Sequence, residues 1–303
     1  MFKHFIFLII ITLVLLSGLS GCASKEKKIS KSSEQQLYES AQYGLNHSNW
    51  ESAISYLEAL EEHFPFGSFA EQGQLELIYA YFRNHDYELV VASADRFIRL
   101  HPQHRNVDYA YYMRGISSFY NDSALISFLS TDISQRDPGT AREAFNYFSQ
   151  LLTRFPDSIY APDARARMVY LRNILARYEI HVANYYFKRG AYVAAANRGR
   201  YVVENYQGTP AVPDGLAVMA QAYFLLGMED HSENSAKVLA NNFPNHPALK
   251  KNGTFDYQYS TEDKRSWVSY LTLGLFDKQP SLNFDTRQLY DPFFTRDAPT
   301  PPN

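Results

Sequence analysis

The sequence contains a single cysteine, so an internal disulfide bond is excluded. It also lacks a strong charge of either sign: the formal net charge is −3 at pH 7, and no block of basic residues occurs along the chain. Proteins that bind nucleic acid concentrate positive charge on one face, and this sequence gives no sign of such a face. Nucleic acid is therefore not expected as a partner.

Recognisable catalytic motifs are also missing. The sequence has no glycine-rich phosphate-binding loop, no nucleophile elbow and no HExxH motif. His101 and His104 are close in sequence, but Pro102 separates them in a linker and no third ligand is evident, which argues against a metal site. We therefore predict a protein that is not an enzyme and that needs no metal or other cofactor.

Aromatic residues, by contrast, are abundant. The chain has 24 Tyr, 21 Phe and 2 Trp, which together make up 16% of the residues. A tyrosine ring offers apolar area and a polar tip, which suits surfaces that bind proteins and peptides. The alternative is that the tyrosines fill gaps between helices, and composition does not decide between the two.

The N-terminus has the pattern of an export signal. Lys3 precedes an apolar run from Phe5 to Leu16, which is too short for a membrane-spanning helix of roughly 20 residues and is followed by small residues. Leu19-Ser20-Gly21-Cys22 looks like a bacterial lipobox, at which a signal peptidase cuts before a diacylated cysteine. We therefore predict a signal peptide over residues 1–21, with diacylglycerol and an N-acyl chain on Cys22.

Lipidation would decide where the mature chain is held. Two or more acyl chains give stable anchoring to a bilayer, whereas one gives only marginal binding. Ala23 stands in place of the aspartate that retains many lipoproteins in the inner membrane, so we expect the inner leaflet of the outer membrane, with the body facing the periplasm. Residues 22–36 are polar and predict a solvated tether. The alternative is a conventional secretory peptide followed by an incidental free cysteine.

Proline residues mark breaks between predicted helices along the body of the chain. Proline ends a helix because it lacks an N–H group and clashes with the preceding turn. The breaks are Phe64-Pro65, His101-Pro102, Phe155-Pro156, Tyr206 to Pro210, and Phe243-Pro244. Two of the intervals between them are close to the tetratricopeptide (TPR) period of about 34 residues, and two carry extra length. The spacing therefore indicates a repeat protein built from TPR-like units.

Within each unit, apolar residues recur at helical spacing on both sides of a short turn, and no alternating strand pattern is found. In the first turn Ser48 and Asn49 can cap the second helix, and Trp50 and its counterpart Tyr87 are expected in the core. We predict an all-α fold over residues 37–247, arranged as a right-handed superhelical solenoid of about five TPR hairpins.

The later units depart from the simple pattern. The third contains an insertion, Asn121 to Arg136, that reads as a loop or short helix, followed by Asp137-Pro138 as a helix start with an aspartate cap. The fourth begins with a long helix from about Asp163 to Phe187, which ends at Gly190 in a left-handed cap. The extension over residues 248–303 is expected to hold one helix, Thr261 to Phe276, and then a proline-rich tail, Asp277 to Asn303, that is extended or disordered.

Several strings of the sequence, together with the lipobox, resemble a known family. They include Gln74-Leu-Glu-Leu-Ile-Tyr-Ala-Tyr81, Asp95-Arg-Phe-Ile-Arg-Leu-His-Pro102 and Asp108-Tyr-Ala-Tyr-Tyr-Met-Arg-Gly115, and others lie at residues 64–67, 122–125, 136–138, 175–179 and 185–198. The resemblance is to the outer-membrane assembly lipoproteins of the BamD (ComL) family. It covers most of residues 22–243, and the tail beyond is not matched.

Membership of this family would imply five TPR repeats and a place in the BAM complex, which folds and inserts outer-membrane β-barrel proteins. The implied partners are the barrel-forming assembly protein BamA, accessory BAM lipoproteins, and the C-terminal segments of unfolded outer-membrane proteins. Arg198 matches a family arginine linked to docking on BamA. In the N-terminal repeats, Tyr79, Tyr81 and Arg83 are expected to offer aromatic faces and a cation to a peptide that ends in an aromatic residue and a carboxylate.

Three functions from different classes stay open on the sequence. The first is a scaffold or adaptor lipoprotein of the BAM machinery. The second is a TPR lipoprotein that serves another envelope complex, such as a secretin, a pilus or the cell-division apparatus. The third is a helical enzyme that acts on peptidoglycan, because acidic pairs are plentiful and the cleft such an enzyme needs cannot be read from a sequence.

Overall fold

The computed structural model describes residues 32–126, 137–259 and 283–286, and within these residues the predicted all-α fold is confirmed. The only β pairing in these ranges is an isolated antiparallel bridge between Leu249 and Phe255. In chain order the helices are α1 (Glu34–Asn46), α2 (Trp50–His63), α3 (Ala70–Arg83), α4 (Tyr87–Leu100), α5 (Val107–Ile126), α6 (Gly139–Arg154), α7 (Ala161–Lys188), α8 (Tyr192–Asn205), α9 (Val212–Leu225) and α10 (Glu229–Asn242).

The chain divides into two compact units, with the boundary between Ser117 and Ser118 inside α5. In the first unit α1 packs on α2, α2 on α3 and α3 on α4. In the second, α6 packs on α7, α7 on α8, α8 on α9 and α9 on α10, and α7 also contacts α9. Packing of each helix on the next is the arrangement of stacked hairpins, in which neighbours bury one another's apolar faces. Among the helices described, none has the length and apolar character that a membrane crossing demands.

The proline breaks end helices as predicted. The residues at the C-terminal caps of α2, α4, α6, α8 and α10 are Phe64, His101, Phe155, Tyr206 and Phe243. Four of them directly precede a proline, which disfavours helical backbone angles in the residue before it. Each of the five caps still donates its N–H group to the carbonyl group four residues earlier, so the last turn of each helix is closed.

Four hairpins share one turn between their two helices. One residue of each turn has a positive φ: 55° at Ser48, 65° at His85, 70° at Gly190 and 71° at Gly227. The N–H group of the following residue then donates to the carbonyl group five residues earlier, at 2.9–3.0 Å. This is the Schellman ending of a helix. The predicted left-handed cap at Gly190 is confirmed, and the same geometry at three other turns supports the assignment of repeats. Asn49 also caps α2 as predicted, since its side chain accepts from the N–H group of Ser52 at 3.2 Å.

Three predicted boundaries were wrong. The tether was placed at residues 22–36, but α1 begins at Glu34 because Ser33 and Gln36 form a capping box. The insertion was placed at Asn121 to Arg136, but α5 extends to Ile126, and the rest of the insertion lies outside the described residues. Asp137 does not cap α6, which begins at Gly139 with Pro138 at its N-cap and no side-chain cap.

The residues after the predicted end of the helical body at residue 247 pack against that body. Ala248 and Phe255 are buried in the core of the second unit, and the N–H group of Asp256 donates to the carbonyl of Ala248 at 2.8 Å. Tyr257 stacks on Phe224 of α9, with ring centroids 4.2 Å apart. Residues 248–259 therefore complete the last hairpin. The predicted helix from Thr261 to Phe276 lies outside the described residues.

The helices α8 and α9 cross at two glycines. A Cβ atom added to Gly199 would lie 2.7 Å from the carbonyl oxygen of Gly215, and one added to Gly215 would lie 3.0 Å from that of Gly199. Real Cβ contacts are longer than this, and the atoms they would meet are backbone, which cannot rotate aside. The absence of a side chain at these two positions is therefore what lets the two backbones approach.

Candidate protein-docking surfaces

An arginine and two aromatic rings form a cluster on the first unit. Tyr79 and Arg83 are one turn apart on α3, and Trp50 begins α2. The guanidinium carbon of Arg83 lies 4.6 Å from the centroid of the Trp50 ring, and Nη1 of Arg83 donates to the hydroxyl of Tyr79 at 2.7 Å. The Trp50 and Tyr79 rings meet edge to face at 5.9 Å. We call these three residues the Arg83 cluster.

The geometry of the Arg83 cluster suits a peptide ligand. Arg83 is exposed, while Trp50 and Tyr79 are half-buried, so the cation is held on a fixed aromatic surface with part of its guanidinium group facing solvent. A guanidinium group has five N–H donors, and those not bound to Tyr79 can pair with a carboxylate. Cation–π contact with two rings restricts the conformation of the Arg83 side chain before any ligand binds, so less conformational entropy is lost on binding.

Tyr81 does not belong to this surface, and the prediction that it offers an aromatic face was wrong. Its side chain is only 6% exposed, and its hydroxyl donates to Oε1 of Glu58 on α2 at 2.6 Å. Burial, followed by the hydrogen bond to Glu58, raises the pKa of the Tyr81 hydroxyl above its ordinary value. Tyr81 therefore joins α3 to α2. Trp50 and Tyr87, predicted as core, are half-buried.

Arg198 lies on the second unit, where a buried carboxylate holds it. Nη1 of Arg198 donates to Oε2 of Glu179 on α7 at 2.7 Å; the Glu179 side chain is 4% exposed and that of Arg198 is 40% exposed. The hydrogen bond with Glu179 raises the pKa of Arg198 above its ordinary value, with a further contribution from Tyr186. The cation is therefore anchored at one end of its guanidinium group and open to solvent elsewhere.

Exposed apolar residues lie on the same helix as Arg198. Val193 and Tyr201 are exposed large hydrophobic side chains of α8, and their spacing places them on one face of the helix. Asn197 and Arg200 are exposed between them. A mixed surface of an aromatic ring, an aliphatic side chain and cations has the composition of protein–protein interfaces.

A third group, which the sequence did not suggest, is buried inside the second unit. Nη1 of Arg177 on α7 is bonded to Oδ2 of Asp214 on α9, and both side chains are fully buried. Nε2 of His246 lies 3.1 Å from Oδ1 of Asp214, and His246 is fully buried too. The apolar neighbours of Arg177 in sequence, Ile174 to Ala176, are also buried, so the arginine faces the interior of the hairpin stack. This group joins α7 to α9, and the side chains of Arg177, Asp214 and His246 are buried in the second unit.

The two histidines considered as metal ligands are engaged with a carboxylate. Nδ1 of His101 lies 3.2 Å from Oε1 of Glu71, and Nε2 of His104 lies 3.6 Å from Oε2 of the same residue. Across the part of the chain that the structure describes, no group of three or more His, Cys, Asp or Glu residues is placed to hold a metal ion. Cys22 lies outside the described residues.

The sequence matches a family model described as YfiO, outer membrane lipoprotein, over residues 30–239. Curated relatives named outer membrane protein assembly factor BamD are similar over most of their length. The relative from Neisseria meningitidis serogroup B is 43% identical over 250 residues, which cover 80% of this chain and 94% of that protein. The relative from Vibrio cholerae is 40% identical (75% and 95% covered), and one from Xylella fastidiosa is 36% identical (82% and 84% covered).

Among solved structures, that of the MamA protein aligns with 69% of this chain and 90% of its own, at 13% identity and a TM-score of 0.34. A score this low carries no argument about function. The assignment of helical hairpins rests on the helices and turns described above.

Proposed function

Because the chain belongs to the YfiO (BamD) family of outer-membrane lipoproteins, we propose that it is a non-enzymatic scaffold of the machinery that assembles outer-membrane β-barrel proteins. The observation that carries the proposal is similarity over nearly the whole length of relatives named as assembly factors. A scaffold needs rigid surfaces with fixed cations and aromatic rings, and the Arg83 cluster and Arg198 have that character.

We propose that the Arg83 cluster binds the C-terminal segments of unfolded outer-membrane proteins. A terminal aromatic residue would pack against the exposed edges of Trp50 and Tyr79, and the chain-terminal carboxylate would pair with Arg83. The support is that the cation and the rings already touch, so little order has to be gained when a peptide binds.

We propose that Arg198 docks a BamA-type barrel assembly protein, with accessory BAM lipoproteins as further partners. Glu179 supports this role by holding the guanidinium group in one orientation while two-fifths of the side chain stays exposed. The anchor in this proposal is the acylated Cys22, which holds the protein to the inner leaflet of the outer membrane, facing the periplasm.

Affinity capture in cells tests the scaffold function. A C-terminal tag on the lipidated protein should recover a large outer-membrane barrel protein of the BamA type. Recovery of only septation, secretin or pilus proteins would contradict the proposal and favour another envelope complex. Release of muropeptides from sacculi by the purified mature protein would instead favour an enzyme.

Arg198→Leu should weaken binding to the periplasmic domain of the BamA-type partner by about tenfold, since one charged contact of an interface is lost. Isothermal titration calorimetry with the purified domain measures the change. The control is Lys237→Leu on α10, which also removes a cation from the second unit; the Lys237 side chain is 63% exposed and pairs with Glu233 at 2.9 Å. Equal affinities for both variants and the unaltered protein, with unchanged helicity by circular dichroism, would contradict the role of Arg198.

Arg83→Ala should lower the affinity for a peptide with a C-terminal phenylalanine and a free carboxylate by about tenfold, because a charge-assisted bond is removed. Fluorescence anisotropy with a labelled peptide measures this loss. Amidation of the peptide terminus should lower the affinity of the unaltered protein similarly and have little further effect on the variant. Arg99→Ala, at an exposed arginine near the end of α4, is the control. If amidation weakens binding to Arg83→Ala as strongly as to the unaltered protein, Arg83 does not bind the carboxylate.

A further inference from the structure

Four residues from the C-terminal extension are seated in the second unit. Residues 283–286, with the sequence Asn-Phe-Asp-Thr, lie against α7 and α9, although 99 to 108 residues separate them from their partners on α7. The Phe284 side chain is fully buried. Its ring lies 5.7 Å from that of Phe187 and 5.6 Å from that of Tyr259. Of the two alternatives predicted for the tail, extended or disordered, disorder was wrong for these four residues.

Asn184 on α7 holds the first half of this segment with both ends of its amide. Its Nδ2 donates to Oδ1 of Asn283 at 2.8 Å, and its Oδ1 accepts the backbone N–H of Phe284 at 3.0 Å. Asn184 is itself buried, and its bond with the N–H group of Phe284 forms away from competing water. Burial also raises the pKa of the Tyr259 hydroxyl, whose ring forms the side of the phenylalanine pocket.

The buried ion pair holds the second half. Nη1 of Arg177 donates to Oδ1 of Asp285 at 3.1 Å. The backbone N–H of Thr286 donates to Oδ2 of Asp214 at 3.0 Å, and its hydroxyl donates to Oδ1 of Asp214 at 2.6 Å. Each of the four residues is thus bound through its own chemistry: an amide, an aromatic ring, a carboxylate and a hydroxyl group.

The residues that contact segment 283–286 form a slot. The walls of this slot and the segment that fills it come largely from different parts of the chain. Arg177, Asn184, Phe187 and Asp214 all lie in residues 30–239, the part that the family model matches, whereas Tyr259 and residues 283–286 lie beyond it. Asp214 is also bonded to Arg177 and lies 3.1 Å from His246, and the segment takes no part in these two contacts. The slot is therefore built by the hairpins, and the segment fills it.

We propose that this slot is a binding site for a short extended peptide of the form Asn-Phe-Asp-Thr, and that the chain's own residues 283–286 are its resident ligand. Because the ligand is tethered, its effective concentration at the slot is high, and a free peptide of the same sequence meets an occupied site. Loss of the resident contacts opens the site to the free peptide.

Fluorescence anisotropy tests this with a labelled synthetic peptide of residues 280–290. The proteins are the full mature chain and the same chain with Phe284→Ala and Asp285→Ala, which empties the slot. The peptide should bind the emptied variant at least about tenfold more tightly than the unaltered protein. A peptide with the same two alanines should not bind. Adding Asn184→Ala to the emptied variant should remove at least about tenfold in affinity, whereas adding Asn205→Ala, at an exposed position on α8, should not.

Equal binding to the emptied and unaltered proteins would overturn the proposal, as would no binding to an emptied variant of unchanged helicity. If the emptied variant does not fold, hydrogen exchange in the unaltered protein decides instead. The N–H groups of Phe284 and Thr286 are bonded to buried side chains and should exchange slowly, and Asn184→Ala should speed the exchange of Phe284. Exchange of both groups at the rate of an unstructured chain would overturn the proposal.

Discussion

Asp214→Ala should lower the free energy of unfolding of the second unit by about 3–5 kcal/mol, the cost of removing one partner from a buried ion pair. Arg177 and Asp214 are both fully buried, so the substitution leaves a cation in the interior without its main counter-charge. Asp214 also accepts two bonds from Thr286 and lies within bonding distance of His246, and these groups would lose a partner at the same time.

Hydrogen exchange measured by mass spectrometry is the appropriate readout, because it reports on the two units separately. Protection of α7 to α10 should fall, while that of α1 to α4 serves as an internal reference. The matched control is Glu233→Ala, which breaks a pair with Lys237 one turn away on α10; those side chains are 65% and 63% exposed. An exposed pair contributes at most about 1 kcal/mol. Similar losses of protection for Asp214→Ala and Glu233→Ala would contradict the expectation that the buried ion pair stabilises the unit more than the exposed one.

Cys22→Ser should abolish attachment to the outer membrane. The serine hydroxyl cannot take the thioether-linked diacylglycerol, so the signal peptidase has no substrate and no acyl chain is added. Each buried methylene group of an acyl chain contributes about 0.8 kcal/mol to membrane binding, so loss of all the chains removes the anchor completely. The variant should stay unprocessed at the inner membrane or remain soluble.

Separation of inner and outer membranes on a density gradient, followed by immunoblotting and intact mass spectrometry, measures this result. Ala23→Ser is the control, because it leaves the thiol and the lipobox intact. If Cys22→Ser still fractionates with the outer membrane at its full amount, the protein is held there by contacts other than lipid, and the anchor proposal fails.

The helices and their ends could be predicted because their causes are local. Proline forces the break after Phe64, and a glycine favours the left-handed turn at Gly190. The same left-handed conformation at Ser48 and His85 was not predicted, because neither residue is glycine, which adopts a positive φ without steric cost.

The error at Tyr81 was avoidable. Tyr79 and Arg83 are four residues apart and share a face of α3, whereas Tyr81 is two residues from each and therefore points to another side. The buried group around Arg177 could not have been predicted from the sequence. Asp214 lies on α9 and His246 lies in the loop after α10, so both are far from Arg177 along the chain. The tail was predicted to be extended or disordered because of its prolines. Composition cannot predict that four of its side chains bind specific residues, since those contacts exist only in the folded second unit.

The crossing of α8 and α9 at Gly199 and Gly215 has a consequence for binding experiments. Gly199 is the neighbour of Arg198, so any bulkier residue at position 199 would push α8 outward and carry the arginine away from Glu179. Under the docking role proposed for Arg198, such a variant would bind the barrel assembly protein less tightly, although residue 199 faces inward. A genetic screen for docking defects should therefore return substitutions at Gly199 and Gly215 as well as at Arg198. At the two glycine positions, docking should be restored by small residues and not by an added charge.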